Sequence, residues 1–191
     1  MSRIIPLAVA AGLNIYATIA VIGLSVRYHL VALPDEYQAF GHPIVIGAAI
    51  VMYLIEFVAD KIPWVDSAWD AVHTIVRPLG GAYIAVATLG DASPVATALA
   101  ALIGGSAALT THATKAGTRA AANTSPEPFS NWLLSLGEDA IAVSLSYAAL
   151  KHPTLALTVA IALLTVILLS AGFLIKALRR RFGARRTATS S

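Results

Sequence analysis

Asp66, Asp70, His73 and Arg77 recur at i, i+4, i+7 and i+11. On a helix with 3.6 residues per turn they share a sector of about 60°. Val72, Ile75, Val76 and Leu79 fall off that stripe. Glu56 and Asp60 make a second i, i+4 pair just upstream, and Pro63 separates the two segments. His112, Lys115 and Arg119 again share one helical face, as do Ser135 and Asp139, with Glu138 beside them. Asn14, Tyr16 and Thr18 place polar groups in an otherwise apolar opening run. Carboxylates and imidazoles at such spacing can relay protons or coordinate cations. Glu56, Asp60, Asp66, Asp70 and His73 could hold a divalent metal, oxygen ligands suiting Mg or Mn and the histidine admitting Zn. Arg77, Lys115 and Arg119 could grip a phosphate.

The elements carrying these residues are membrane helices. The chain has 191 residues, 58% hydrophobic and 12% charged. A soluble domain carries roughly 25% charged residues. Runs near the ~20 apolar residues that a spanning helix needs lie at 4–26, 43–59, 67–89, 94–113, 131–150 and 153–178. The fold class is therefore all-α, an integral membrane bundle of about six transmembrane helices. Residues 1–178 form a single transmembrane domain, and 179–191 a basic cytoplasmic tail expected to be disordered. Pro78 is expected to kink its helix, and Asp66 or Ser67 to cap it.

A charged residue at the centre of a membrane helix costs about 2.5–3.5 kcal/mol on insertion scales. Six acids, with Lys61, Arg77, Lys115 and Arg119, cannot all face lipid. They must pair with one another or line water. Six acids against four bases leave a formal excess of two negative charges, which suits a cation or proton site. Other roles compete at each position. Asp66 and Asp70 could cap a helix at the headgroups, Lys61 and Lys115 could snorkel as topology signals, and Arg77 with Asp70 or Lys115 with Glu138 could be structural ion pairs. His42 and His152 precede prolines and read as turn residues; Trp64, Trp69 and Trp132 read as interfacial anchors. Gly104-Gly105 reads as a site of close helix packing.

The net charge of +3 is no nucleic-acid signal, because the basic excess is largely Lys176, Arg179, Arg180, Arg181, Arg185 and Arg186. Such a cluster after a final apolar helix retains that end in the cytoplasm and could touch anionic lipid headgroups. Counting back from it places Lys61, Lys115 and Arg119 on the inner side and both termini in the cytoplasm. With no cysteine, disulfides and thiolate chemistry are excluded. Similarities between 79–86 and 136–143, and between 59–61 and 113–115, suggest a parallel repeat of helix hairpins.

The run Glu56–Pro78, with Gly12-Leu13-Asn14-Ile15-Tyr16, Ser125-Pro126, Ser130-Asn131 and Glu138-Asp139, resembles a bacterial membrane-protein family known only as a domain of unknown function, DUF4126. The resemblance covers most of the chain except the Arg-rich tail. It implies a small multi-pass protein of the bacterial inner membrane and supplies no activity. The residues favour a small transporter or channel, for a cation or proton-coupled, with a carboxylate- and His-lined cavity open to the cytoplasm. Its candidate residues are Asn14, Glu56, Asp60, Asp66, Asp70, His73, Arg77, His112, Lys115, Arg119, Glu138 and Asp139. The alternatives are an enzyme acting on, or a flippase of, a phosphate-bearing lipid, and a non-catalytic scaffold. Catalysis is the less favoured class, since no complete phosphotransferase or phosphatase signature is present. Expected partners are the lipid bilayer, anionic lipids at the tail and, given the small residues in the spans, other copies of the chain.

Overall fold

The computed structural model describes the backbone of residues 2–122 and 128–188, with side chains undescribed at 63, 121–122, 128–131 and 171–188. The loop around Ser125-Pro126, the Ser130-Asn131 side chains and the basic side chains of the tail thus lie outside the described residues.

Seven helices follow in order: α1 (Ile4–Leu13), α2 (Ile15–Arg27), α3 (Pro43–Ala59), α4 (Pro63–Leu89), α5 (Pro94–Ala122), α6 (Pro128–Lys151) and α7 (Pro153–Ala188). A 3₁₀ helix, Asp35–Gly41, precedes α3. Proline occupies the first position of α3 and α4, where its missing N–H costs nothing. Proline also opens α5, α6 and α7.

Four described helices are long and apolar enough to cross a membrane: Trp64–Leu89, Pro94–Ala120, Trp132–Lys151 and Pro153–Ser170. The 3₁₀ helix and α3 make a fifth candidate, bent by 61° at their junction. The membrane bundle is as expected, but the opening span is not one helix. Asn14 has extended backbone angles, φ −151° and ψ 103°, and its side-chain oxygen accepts the Ala17 N–H to cap α2. Asparagine's short side chain competes for backbone groups in this way, which is why it breaks a helix that leucine would continue. At 1.5 Å per residue α1 and α2 are about 15 and 20 Å long, each too short for a hydrocarbon core of about 30 Å.

Two other boundaries differ from expectation. Helix α4 begins at Pro63, with Ile62 at its N-cap, so Asp66 is inside the first turn rather than capping it. Pro78 lies inside α4, which runs on to Leu89. Helix α7 carries on past Leu178 to Ala188, so the backbone of most of the basic tail is helical rather than irregular.

Helix α1 is the centre of the bundle. Leu7, Ala8, Val9, Ala10 and Ala11 are fully buried, packed against α4, α5, α6 and α7. Helices α4 and α5 form the most extensive pair. Their crossing depends on glycine: a Cβ on Gly81 would stand 2.5 Å from Ala108 Cβ and 2.9 Å from Gly104 O. Gly12 does the same for α1, where a Cβ would meet Ala108 O at 2.5 Å. Such close backbone approach is how membrane helices gain dispersion energy without a hydrophobic driving force. In contrast, α3 is peripheral and buries mainly Ile46, Ala49, Glu56 and Ala59.

Candidate functional site

The polar stripe of α4 faces the bundle interior. Asp66, Asp70, His73 and Arg77 are at most 5% exposed, whereas Val72, Ile75 and Leu79 on the opposite face are 60–68% exposed. From α5 come His112, Lys115 and Arg119, from α6 Ser135 and Asp139, and from α3 and its C-cap Glu56 and Asp60, all buried. Glu138 joins them with its side chain 12% exposed. The buried interior is charged and the outer surface apolar, the inverse of a soluble protein and the arrangement a bilayer demands.

The charges form one connected network. Arg77 pairs with Glu56 at 2.5 Å, and Glu56 also takes Lys115 at 3.1 Å. Lys115 reaches Asp60 at 3.4 Å and Glu138 at 3.6 Å. Arg119 holds Asp60 at 2.7 Å, Asp66 at 3.3 Å and Glu138 at 3.5 Å. The Lys115–Glu138 pair is the one the spacing suggested. The suggested Arg77–Asp70 pair is not among those formed, since the guanidinium turns to α3 instead.

The network is anchored on the helix break. Arg77 Nη1 donates to Gly12 O at 3.0 Å, and Lys115 Nζ donates to Leu13 O at 3.2 Å. The carbonyls that end α1 have no intrahelical partner and carry the negative end of its dipole, so two cations suit them. On the other side of the break Asn14 Nδ2 donates to Asp139 Oδ1 at 2.9 Å, placing a carboxylate by the positive end of α2. Because Asn14 Oδ1 is already committed to Ala17 N–H, the amide nitrogen must face Asp139.

Two histidines extend the network, with tautomers fixed by their partners. His112 Nδ1 accepts from Arg77 Nη1 at 2.9 Å. Its Nε2–H therefore points to Asp70 O and Thr74 Oγ1, each 3.1 Å away, and the ring is neutral. His73 Nδ1–H donates to Trp69 O at 2.8 Å, and the Tyr16 hydroxyl meets Nε2 at 3.1 Å. Trp69 stacks on His73 with ring centroids 4.8 Å apart, so its role is to pack the site rather than anchor the interface.

Lys61 stays outside the network. Its Nζ lies 3.2 Å from the Phe57 ring centroid and donates to Phe57 O at 2.8 Å. Partial burial lowers its pKa from the usual lysine value. The described cluster is thus six carboxylates (Glu56, Asp60, Asp66, Asp70, Glu138, Asp139) against three bases (Arg77, Lys115, Arg119), an excess of three negative charges rather than two.

No group of three or more His, Asp and Glu among the described residues could hold a metal. Glu56, Asp60, Asp66, Asp70 and His73 line one region, but Arg77, Lys115 and Arg119 lie among them and occupy the oxygens a metal would need. The bases, in turn, are not grouped apart from the acids in the way a phosphate grip would require.

The residue spacing missed three contributors. Thr74 links His112 to the Asp70 carbonyl; it stands four residues after Asp70, beside the stripe. Ser146 donates to Thr18 Oγ1 at 3.2 Å, and Thr18 donates to Asn14 O at 2.9 Å; Ser146 continues the Ser135, Asp139 stripe at i+11. The Gly12 and Leu13 carbonyls carried no side-chain signal at all.

The sequence matches the family described as "Domain of unknown function (DUF4126)" over residues 2–172, and the chain belongs to that family. No curated protein and no solved structure is similar enough to match.

Proposed function

We propose that this member of the family is a small membrane transporter or channel that moves a cation, alone or coupled to protons, through the charge network at the Asn14 break. The observation that carries this reading is the broken helix itself. Its freed ends, Gly12 O, Leu13 O and the Asn14 cap, each meet a charged side chain from a different helix. Discontinuous helices with charged partners at their ends are the usual construction of a transport site. A scaffold needs no such interior, since buried ion pairs add little net stability. The formal excess of carboxylates over bases, three when all are ionised and two with one protonated, favours a cation over an anion. A phosphate-bearing lipid would need bases that face the ligand, and all three face carboxylates. The inner-membrane location, with the network toward the cytoplasm, follows the basic tail and remains part of this proposal.

Purified protein in proteoliposomes tests it. Uptake of a panel of mono- and divalent cations, with and without a pH gradient, is expected to show at least one flux above empty vesicles. That flux is expected to fall at least tenfold in Glu56→Gln. If nothing in the panel moves under either condition, the transport reading is wrong.

A further inference from the structure

Charge neutrality divides the six carboxylates into two kinds. Glu56, Asp60, Asp66 and Glu138 each touch a base. Asp70 and Asp139 have no ion pair among the described residues, yet each is only 5% exposed. Each also has one oxygen without a hydrogen-bond partner, Oδ1 of Asp70 and Oδ2 of Asp139. A bare carboxylate so buried and without an ion pair costs several kcal/mol, a cost that a bound proton or cation would lower.

Their surroundings differ. Asp70 has Lys115, Arg77 and Arg119 as electrostatic neighbours, with Asp60 as the one acid among them. Asp139 is faced from α5 by Lys115, from α3 by Glu56 and Tyr53, from the α3 C-cap by Asp60, and from the following turn by Lys61. Asn14 donates to its Oδ1, and the Tyr53 hydroxyl also hydrogen-bonds to this carboxylate. Asp139 is therefore the carboxylate with the least cationic support and the most direct contact with the helix break.

We infer that Asp139 is a proton-binding site, carrying the proton on Oδ2 while Oδ1 accepts from Asn14. A proton needs a single oxygen. An alkali cation needs several, and the carbonyls at the helix break, Gly12 O and Leu13 O, are held by Arg77 and Lys115. The consequence is coupling. Asn14 both caps α2 and touches Asp139, so gain or loss of the proton alters the charge at the start of α2 and the balance around Lys115. This deepens the transport reading by naming the coupling ion, but the proton site itself does not depend on any flux.

Infrared titration of the full chain in lipid nanodiscs tests it. Wild type is expected to show the carbonyl band of a protonated carboxylic acid at neutral pH, unchanged when sodium replaces choline in the buffer. Asp139→Asn, whose amide oxygen can still accept from Asn14, is expected to lose that band while Asp70→Asn keeps it. Should Asp139→Asn fail to fold, Asn14→Ala is expected to shift the pH midpoint of the band, because it removes the donor on Oδ1. Persistence of the band in Asp139→Asn, its loss in Asp70→Asn alone, dependence on sodium, or an unmoved midpoint in Asn14→Ala would overturn the assignment. A band that behaves as expected in a protein that moves no ion would leave this inference standing and remove the transport reading.

Discussion

Arg77 ties three helices of the network together. Its fork reaches Glu56 on α3, His112 on α5 and the end of α1. A guanidinium presents its donors in a rigid planar fork, whereas an ammonium is a compact charge whose three donors rotate freely. Removing one member of a buried ion pair leaves the other uncompensated, at a cost of about 3–5 kcal/mol. Arg77→Gln is therefore expected to lower unfolding free energy by about 3–5 kcal/mol, read by denaturant titration in mixed micelles. Glu56→Gln combined with Arg77→Gln is expected to recover part of that loss, because the stranded charge disappears. Strictly additive single and double variants would show that the two side chains do not act as a pair. Arg77→Lys is expected to fall between wild type and Arg77→Gln, keeping the charge on Glu56 but losing the hold on Gly12 O.

The break between α1 and α2 rests on one residue, and so does much of the site. Replacing Asn14 by leucine removes the cap on Ala17 N–H and the donor to Asp139. Loss of an N-cap costs about 1 kcal/mol, and the bare Asp139 adds to it. The larger effect concerns continuity. Leucine favours a helix running from Ile4 to Arg27, which would withdraw Gly12 O and Leu13 O from Arg77 and Lys115 into intrahelical bonds. Asn14→Leu is thus expected to abolish flux in proteoliposomes while membrane insertion is retained. Flux at the wild-type level would mean that the break is incidental. The same position shows where sequence reading stops. The α4 stripe was legible because four residues on one helix obey one period, and that period sets burial directly. The α5 and α6 faces were legible for the same reason. A single asparagine in an apolar run carries no such period, so the opening run reads as one span. Pairing across helices was legible only in part. Lys115–Glu138 followed from two stripes that had to meet, while Arg77 turned from its own helix to Glu56 because packing, not spacing, selects among buried acids. Lys61 illustrates the converse: a charge close in sequence to the cluster but bonded to its own turn at Phe57.

Charge inside and apolar surface outside imply a bilayer around the bundle, and the four long helices fix relative sidedness. Helix α4 ends at Leu89 and α5 begins at Pro94; α6 ends at Lys151 and α7 begins at Pro153. With every one of these helices crossing, the turns at 90–93 and at His152 share one side, and the turn at Lys61–Ile62 shares the other with the α5–α6 connection. Lys and Arg favour the cytoplasmic side, and Arg179–Arg186 lie toward the C-terminal end of α7, which starts at Pro153 just after the His152 turn. The His152 turn is therefore expected outside and Lys61 inside. The chain contains no cysteine, so single cysteines report without background. Cysteine placed at Ser93 or His152 is expected to react with an impermeant maleimide in intact cells, and cysteine at Lys61 only after the membrane is opened. Labelling of all three from one side would mean that α4 re-enters instead of crossing. Reversed labelling would preserve the bundle and the network but turn the Glu56–Asp60 end, with Glu138 as its most exposed paired carboxylate, toward the outer face. The compartment that supplies or receives the ion would then change with it.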